Sequence, residues 1–109
     1  MSQNSSPFYH LHLHSEYSLL DGAIRLDSLF EKCHEYGMDA VSMTDHGTMF
    51  GVASFYEKAR KASVKPVIGC EVYVAPRTLN DRTQIDRQGL SHLVLLAKDR
   101  EGYANLCKL

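Results

Sequence analysis

The chain has 109 residues, 44% of them hydrophobic, with 12 basic and 13 acidic side chains and a net charge of −1. That length fits one small domain or a piece of a larger one, and the near-neutral balance gives no electrostatic footprint of nucleic-acid binding. No apolar run approaches the ~18 residues of a transmembrane helix, and the opening MSQNSSP lacks the basic start and apolar core of a signal peptide.

Residues 1–7 read as a disordered N-terminus, leaving 8–109 as the folded part. In residues 8–14, FYHLHLH, His10, His12 and His14 alternate with Tyr9, Leu11 and Leu13. This period of two predicts a strand with one apolar face and one face of three imidazoles. Residues 15–18 turn polar, and Asp21-Gly22 marks a turn. A helix is expected near 25–36, with Leu26, Leu29, Phe30 and Cys33 on one stripe. Gly37 suits the position just past its end, and His34 lies off the stripe, facing solvent. Residues 39–44 read as a buried parallel strand running into Asp45-His46-Gly47. A second helix spans about 51–62, with Val52, Phe55, Tyr56 and Ala59 inward. Its Lys58, Arg60 and Lys61 suit the negative end of the helix dipole. A third strand, 65–74, carries Glu71 inside it. Residues 77–91 mix both charge signs with few apolar groups and read as a long mobile loop. His92 opens a fourth strand whose Leu-Val-Leu-Leu run reads as core, and another amphipathic helix starts near Gly102. Cys33, Cys70 and Cys107 are widely spaced, odd in number and never in CxxC form, which predicts reduced thiols and a cytoplasmic location. Strand–helix alternation with short connections predicts an α/β fold with parallel strands.

In such sheets and barrels, active sites gather at the C-terminal ends of the strands. His12 and His14 end the first predicted strand, Asp45 and His46 end the second, and Glu71 lies late in the third. His92 precedes its strand. Either the long loop folds back to bring it to the site, or that strand runs against the others. The candidate constellation is His12, His14, Asp21, His46, Glu71 and His92. Four imidazoles and two carboxylates exceed what one tetrahedral zinc needs. Mixed nitrogen and oxygen donors suit a cluster of two or three divalent ions, such as zinc or manganese, and clusters of that kind hydrolyse phosphate esters. Each residue also has a plainer reading. A buried histidine is often a hydrogen-bonded core residue. His10 shares the imidazole face but lies a step deeper, away from the pole. Asp21 before Gly22 is equally a turn former. Asp45 fits a helix cap or a ligand, and best fits a group that orients a neighbouring imidazole. Glu71 needs a partner, because an unpaired charge in an apolar strand is very costly.

HLHS at 12–15, TDHG at 44–47, Glu71 and His92 together resemble the polymerase and histidinol phosphatase (PHP) domain. YSLLDGA (17–23), GMDAVSMTDHGTMFG (37–51), FYEKA (55–59), KPVIGCEVYVA (65–75) and HLVLLAKDREGYANLCKL (92–109) are similar to the N-terminal region of the C-family bacterial replicative DNA polymerases, the polymerase III α subunits. The resemblance runs from about Phe8 to Leu109. It implies the N-terminal part of a distorted (β/α)₇ barrel with a trinuclear metal site at one pole. By motif, His12, His14, Asp21, His46, Glu71 and His92 would be ligands. It also implies metal-dependent 3′–5′ exonuclease chemistry at that pole. Nucleotide incorporation would belong to a palm domain elsewhere, with its own carboxylates and magnesium. Expected partners are DNA and other replicase subunits, including a proofreading subunit and a sliding clamp. The family pattern continues with another histidine and an Asp-x-His pair, which this sequence lacks along with palm, fingers and thumb. The expectation is therefore an N-terminal piece of a DNA-directed DNA polymerase, inactive alone. Two other readings stay open: a free-standing PHP phosphoesterase acting on a small phosphorylated metabolite, and a PHP module kept only as scaffold.

Overall fold

The computed structural model describes residues 8–18, 22–75, 77–78 and 91–109. The expected frayed terminus at 1–7, Asp21 and most of the expected loop at 77–91 lie outside the described residues. The elements run α1 (Leu26–Glu35), β1 (Ala40–His46), α2 (Val52–Lys61), β2 (Lys65–Val74), β3 (Ser91–Leu96) and α3 (Arg100–Lys108). The three strands form one sheet in the order β1-β2-β3.

The helical stripes find the core as their spacing predicts. Leu26, Leu29, Phe30 and Cys33 of α1 are buried, as are Val52, Phe55 and Ala59 of α2. The Phe30 and Phe55 rings stack with centroids 5.8 Å apart. Burying Phe55 completely stabilises the fold by about 1.5–3 kcal/mol. Tyr56 departs from the expected stripe. It is 43% exposed, and its hydroxyl accepts a 2.9 Å hydrogen bond from Arg60 Nη1. Both helices end in the same way. After α1, Gly37 (φ 69°) donates to the His34 carbonyl and Met38 to that of Cys33. After α2, Ser63 (φ 58°) donates to Arg60 and Val64 to Ala59. Each pair of bonds satisfies the last carbonyls of its helix through one left-handed residue.

β1 is the buried apolar strand that its composition implies, and it lies parallel to β2 from Ala40↔Lys65 to His46↔Glu71. Three expectations need correction. First, the strands are not all parallel. β3 runs antiparallel to β2, from Gly69↔Leu96 to Val74↔Ser91. A parallel return needs a long crossover that packs on the sheet, and residues 77–91 lack the apolar periodicity to build one. The antiparallel strand starts where β2 ends, which puts His92 at the same pole as Glu71. Second, residues 8–14 make no regular ladder. Ser42 donates its backbone N–H to the His10 carbonyl and Thr44 donates to that of Leu13. Two residues of β1 thus span three residues of this segment, and the register slips by one. Leu13 N–H goes instead to the Thr44 hydroxyl, 3.0 Å away. The slip spoils the expected apolar face: Leu13 is buried, while Leu11 is 54% exposed. Third, the Leu-Val-Leu-Leu run of β3 is not core. Among the described strands β3 is an edge, and Leu93 and Leu96 are 47% and 39% exposed.

Candidate metal centre

Register decides what meets at the pole. His46 closes β1 opposite Glu71, and Tyr73, two residues after Glu71 on the same face, is paired with His92. Side chains two apart on a strand share a face, so His46, Glu71 and His92 converge from three strands. The slipped segment 8–14 runs alongside β1 and delivers His12 and His14 to the same place.

Glu71 is the hub. Its Oε2 receives the Nε2 of His14 at 2.5 Å and of His12 at 3.0 Å, with His46 Nδ1 at 3.3 Å. Its Oε1 receives His92 Nδ1 at 3.2 Å. The Glu71 side chain is only 7% exposed, whereas those of His14, His46, His92 and His12 are 20%, 23%, 45% and 53% exposed. The carboxylate thus forms the floor and the imidazoles the open rim. Burial raises the Glu71 pKa, but hydrogen bonds from His12, His14 and His92 and the charge of His46 outweigh it, and the carboxyl falls to about 2. The rings also touch one another: His14 and His46 have centroids 3.9 Å apart, and the Tyr73 ring stands edge-on to His92 at 4.6 Å.

The donor atoms sort into two groups that share Glu71: His12, His14 and Glu71, and His46, Glu71 and His92. Within each group they lie within 4.8 Å of one another. Nitrogen and carboxylate donors at this spacing could hold metal ions. Five of the six ligand candidates read from the sequence are brought together. The sixth, Asp21, lies outside the described residues. His10 is not brought in. Its carbonyl accepts from the Ser42 hydroxyl, and its ring meets Phe8 edge-on. His34 faces outward and contacts the Ala62 carbonyl at 2.7 Å.

Asp45 is bonded to serines beside the imidazoles. It is 1% exposed and accepts from Ser15 N at 2.6 Å, Ser15 Oγ at 2.8 Å and Ser18 Oγ at 2.9 Å. Ser18 Oγ in turn accepts the backbone N–H of His46 at 3.1 Å. The carboxylate therefore fixes the backbone beside His14 and, through Ser18, that of His46. Gly22 lets the chain fold back on this clamp, because a Cβ there would lie 1.7 Å from the Ser15 carbonyl oxygen. Ser15, Ser18 and Thr44 were not legible as site residues. Their only signal is the adjacency of HS to the HxH pair and of Thr to the Asp-His pair.

The sequence profile of the family described as PHP domain matches residues 10–109. The chain belongs to the PHP-domain family. Similar proteins include the DNA polymerase III subunit alpha of Borreliella burgdorferi, 47% identical over 105 residues. That match covers 95% of this chain and 9% of that protein. The same subunit of Aquifex aeolicus is 45% identical over 111 residues, covering 96% of this chain and 10% of that one. The Deinococcus radiodurans subunit is 47% identical over 110 residues, covering 94% and 8%. This chain spans about a tenth of the length of these relatives. Among solved structures, an amidohydrolase from Chromobacterium violaceum with bound sulfate aligns with a TM-score of 0.62 at 22% identity, over 92% of this chain and 32% of that chain. A protein from Bifidobacterium adolescentis, described as a metal-dependent phosphoesterase, aligns with the same TM-score at 17% identity and the same coverage. At these identities the likeness is one of fold.

Proposed function

We propose that this PHP domain is the N-terminal region of a bacterial replicative DNA polymerase III α subunit, and that its pole hydrolyses phosphodiesters at DNA 3′ ends. The observation that carries the reading is the convergence of His12, His14, His46 and His92 on one buried carboxylate. The named relatives give the polymerase context. The chain would form part of a distorted (β/α)₇ barrel, completed by residues of the intact protein. DNA, a proofreading subunit and a sliding clamp would be its partners, in the cytoplasm. No helix among the described residues is long and apolar enough to cross a membrane.

His12, His14, His46, Glu71 and His92, with Asp21, would hold a cluster of divalent ions, zinc or manganese. Such ions, when bound, polarise a phosphoryl oxygen and bring water toward hydroxide near neutral pH. The residues of the chain supply the frame for that chemistry. Glu71 presents one oxygen to His12, His14 and His46 and the other to His92, which makes it the shared member of both donor groups. Asp45 and Ser18 hold the backbones that carry His14 and His46. The exposed rim of His12 and His92 leaves the floor open to a substrate arriving from solvent.

His14→Ala in the intact protein tests this. Exonuclease activity should fall by at least the 10–100-fold that even outer partners of metal ligands cost, while nucleotide incorporation is retained. Joint loss of both activities with earlier melting would mean that the cluster is a structural brace. A second reading, hydrolysis of a small phosphorylated metabolite, draws on the fold likeness to a described phosphoesterase. Hydrolysis of monophosphates with no action on oligonucleotides would favour it.

A further inference from the structure

Beside the imidazole pole lies a groove of about 830 Å³. Segment 8–14 contributes His10, His12 and His14 to its lining, and the start of α1 contributes Arg25, Ser28 and Lys32. Among the described residues no carboxylate lines the groove, although the chain has 13 acidic residues. The charge of Lys32 is shared with Glu35, 2.8 Å from its Nζ. Arg25 makes no ion pair among the described residues. Its position is also unfavourable for the helix. Arg25 occupies the N-cap of α1 and gives no side-chain cap, where a short oxygen-bearing side chain is preferred and the helix dipole disfavours a cation. Local helix rules therefore do not account for this arginine, and departures of that kind gather at functional sites.

We propose that this groove is a subsite for a phosphate of a nucleic-acid strand, adjacent to the phosphodiester cleaved at the pole, with Arg25 as its anchor. The proposal rests on the reading of the pole given above and narrows its substrate to a strand bearing more than one phosphate. A guanidinium offers the planar fork that matches phosphate oxygens in pairs. The groove is continuous with the pole, because His12 and His14 belong to both. Its volume lies in the range of about 300–1,000 Å³ that accommodates whole ligands, more than a lone phosphate group fills. The chain carries a net charge of only −1, so attraction for a polyanion has to be local, and the groove lining brings Arg25 together with His12 and His14.

The test is Arg25→Ala in the intact protein, with Lys61→Ala on the far end of α2 as control. Hydrolysis of a single-stranded oligonucleotide is followed across a salt series. The expected result is a KM about tenfold higher for R25A and a log–log salt dependence flatter by about 0.7, the value of one phosphate contact on a single strand. Metal content should be unchanged, and Arg25→Lys should restore part of the loss. Unchanged KM and salt slope would overturn the subsite. If the wild-type protein cleaves no phosphodiester, the same comparison is made by binding a fluorescent oligonucleotide to chelator-treated protein. Weaker binding by R25A then upholds the subsite while refuting the proposed chemistry, and equal binding by both proteins overturns the subsite.

Discussion

Asp45→Ala should be among the most damaging substitutions in the chain, although its carboxylate is bonded to Ser15 and Ser18 rather than set among the imidazoles of the pole. The carboxylate is 1% exposed and takes three hydrogen bonds, from Ser15 N, Ser15 Oγ and Ser18 Oγ. Each bond to a charged group contributes about 1.5–3 kcal/mol net, but they share one acceptor group and do not add. The two hydroxyls can rotate toward other acceptors. The Ser15 N–H cannot, and a buried orphan donor costs about 1–3 kcal/mol. Removing one side of a buried charged network typically costs about 3–5 kcal/mol, and that is the expected loss here. Against a total stability of about 5–15 kcal/mol, such a loss brings a small domain close to unfolding. Ser18→Ala, which removes one donor to Asp45 and the acceptor for His46 N–H, should cost less, about 1–2 kcal/mol. Urea titrations followed by circular dichroism measure both, and the double variant should show non-additivity because the residues touch. An Asp45→Ala loss below about 0.5 kcal/mol, the range of ordinary surface changes, would refute the clamp.

Three further outcomes follow from the same structure. Ser63 is exposed at φ 58°, where a side chain is strained and glycine is not, so Ser63→Gly should stabilise the protein by about 0.5–1 kcal/mol in the same titration; a destabilisation would contradict the left-handed turn. The Glu71 carboxyl has its pKa lowered from 4.5 to about 2. A group lowered by folding stabilises the fold above its unfolded value, so chelator-treated protein should lose that contribution as pH falls from about 4.5 toward 2. Glu71→Gln should show a flatter profile across that window. The 109-residue chain by itself should self-associate, because Phe50 is 87% exposed, Leu109 61% and edge-strand Leu93 47%; a monomer in sedimentation that melts cooperatively would show the opposite.

Helix positions and the β2 strand were legible because each follows one rule. The 3.6-residue stripe of Leu26, Leu29, Phe30 and Cys33 fixes α1, and the apolar run around Glu71 fixes β2. Glu71 itself could be singled out because a charge in an apolar strand demands partners. His46 and His92 followed from where strands begin and end. The imidazole segment was misread because alternation alone assigns a strand, whereas a one-residue slip against β1 depends on Thr44, whose hydroxyl replaces a ladder bond. The direction of β3 and its exposure depend on which elements lie beside it, and no local pattern encodes that. The role of Asp45 was half legible: a supporting role beside the imidazoles was expected, but its partners Ser15 and Ser18 come from about 30 residues earlier in the chain.

The central claim is that the pole is a divalent-metal centre built on Glu71. Elemental analysis of the purified intact protein, dialysed free of loose ions, tests it most directly. The account predicts zinc, manganese or iron at one or more equivalents, lost in large part in Glu71→Ala, which removes the member common to both donor groups, and kept in His34→Ala. The isolated 109-residue chain should show weaker, partial occupancy. Metal-free protein that retains nuclease activity, or Glu71→Ala protein that retains its full metal content, would contradict the account.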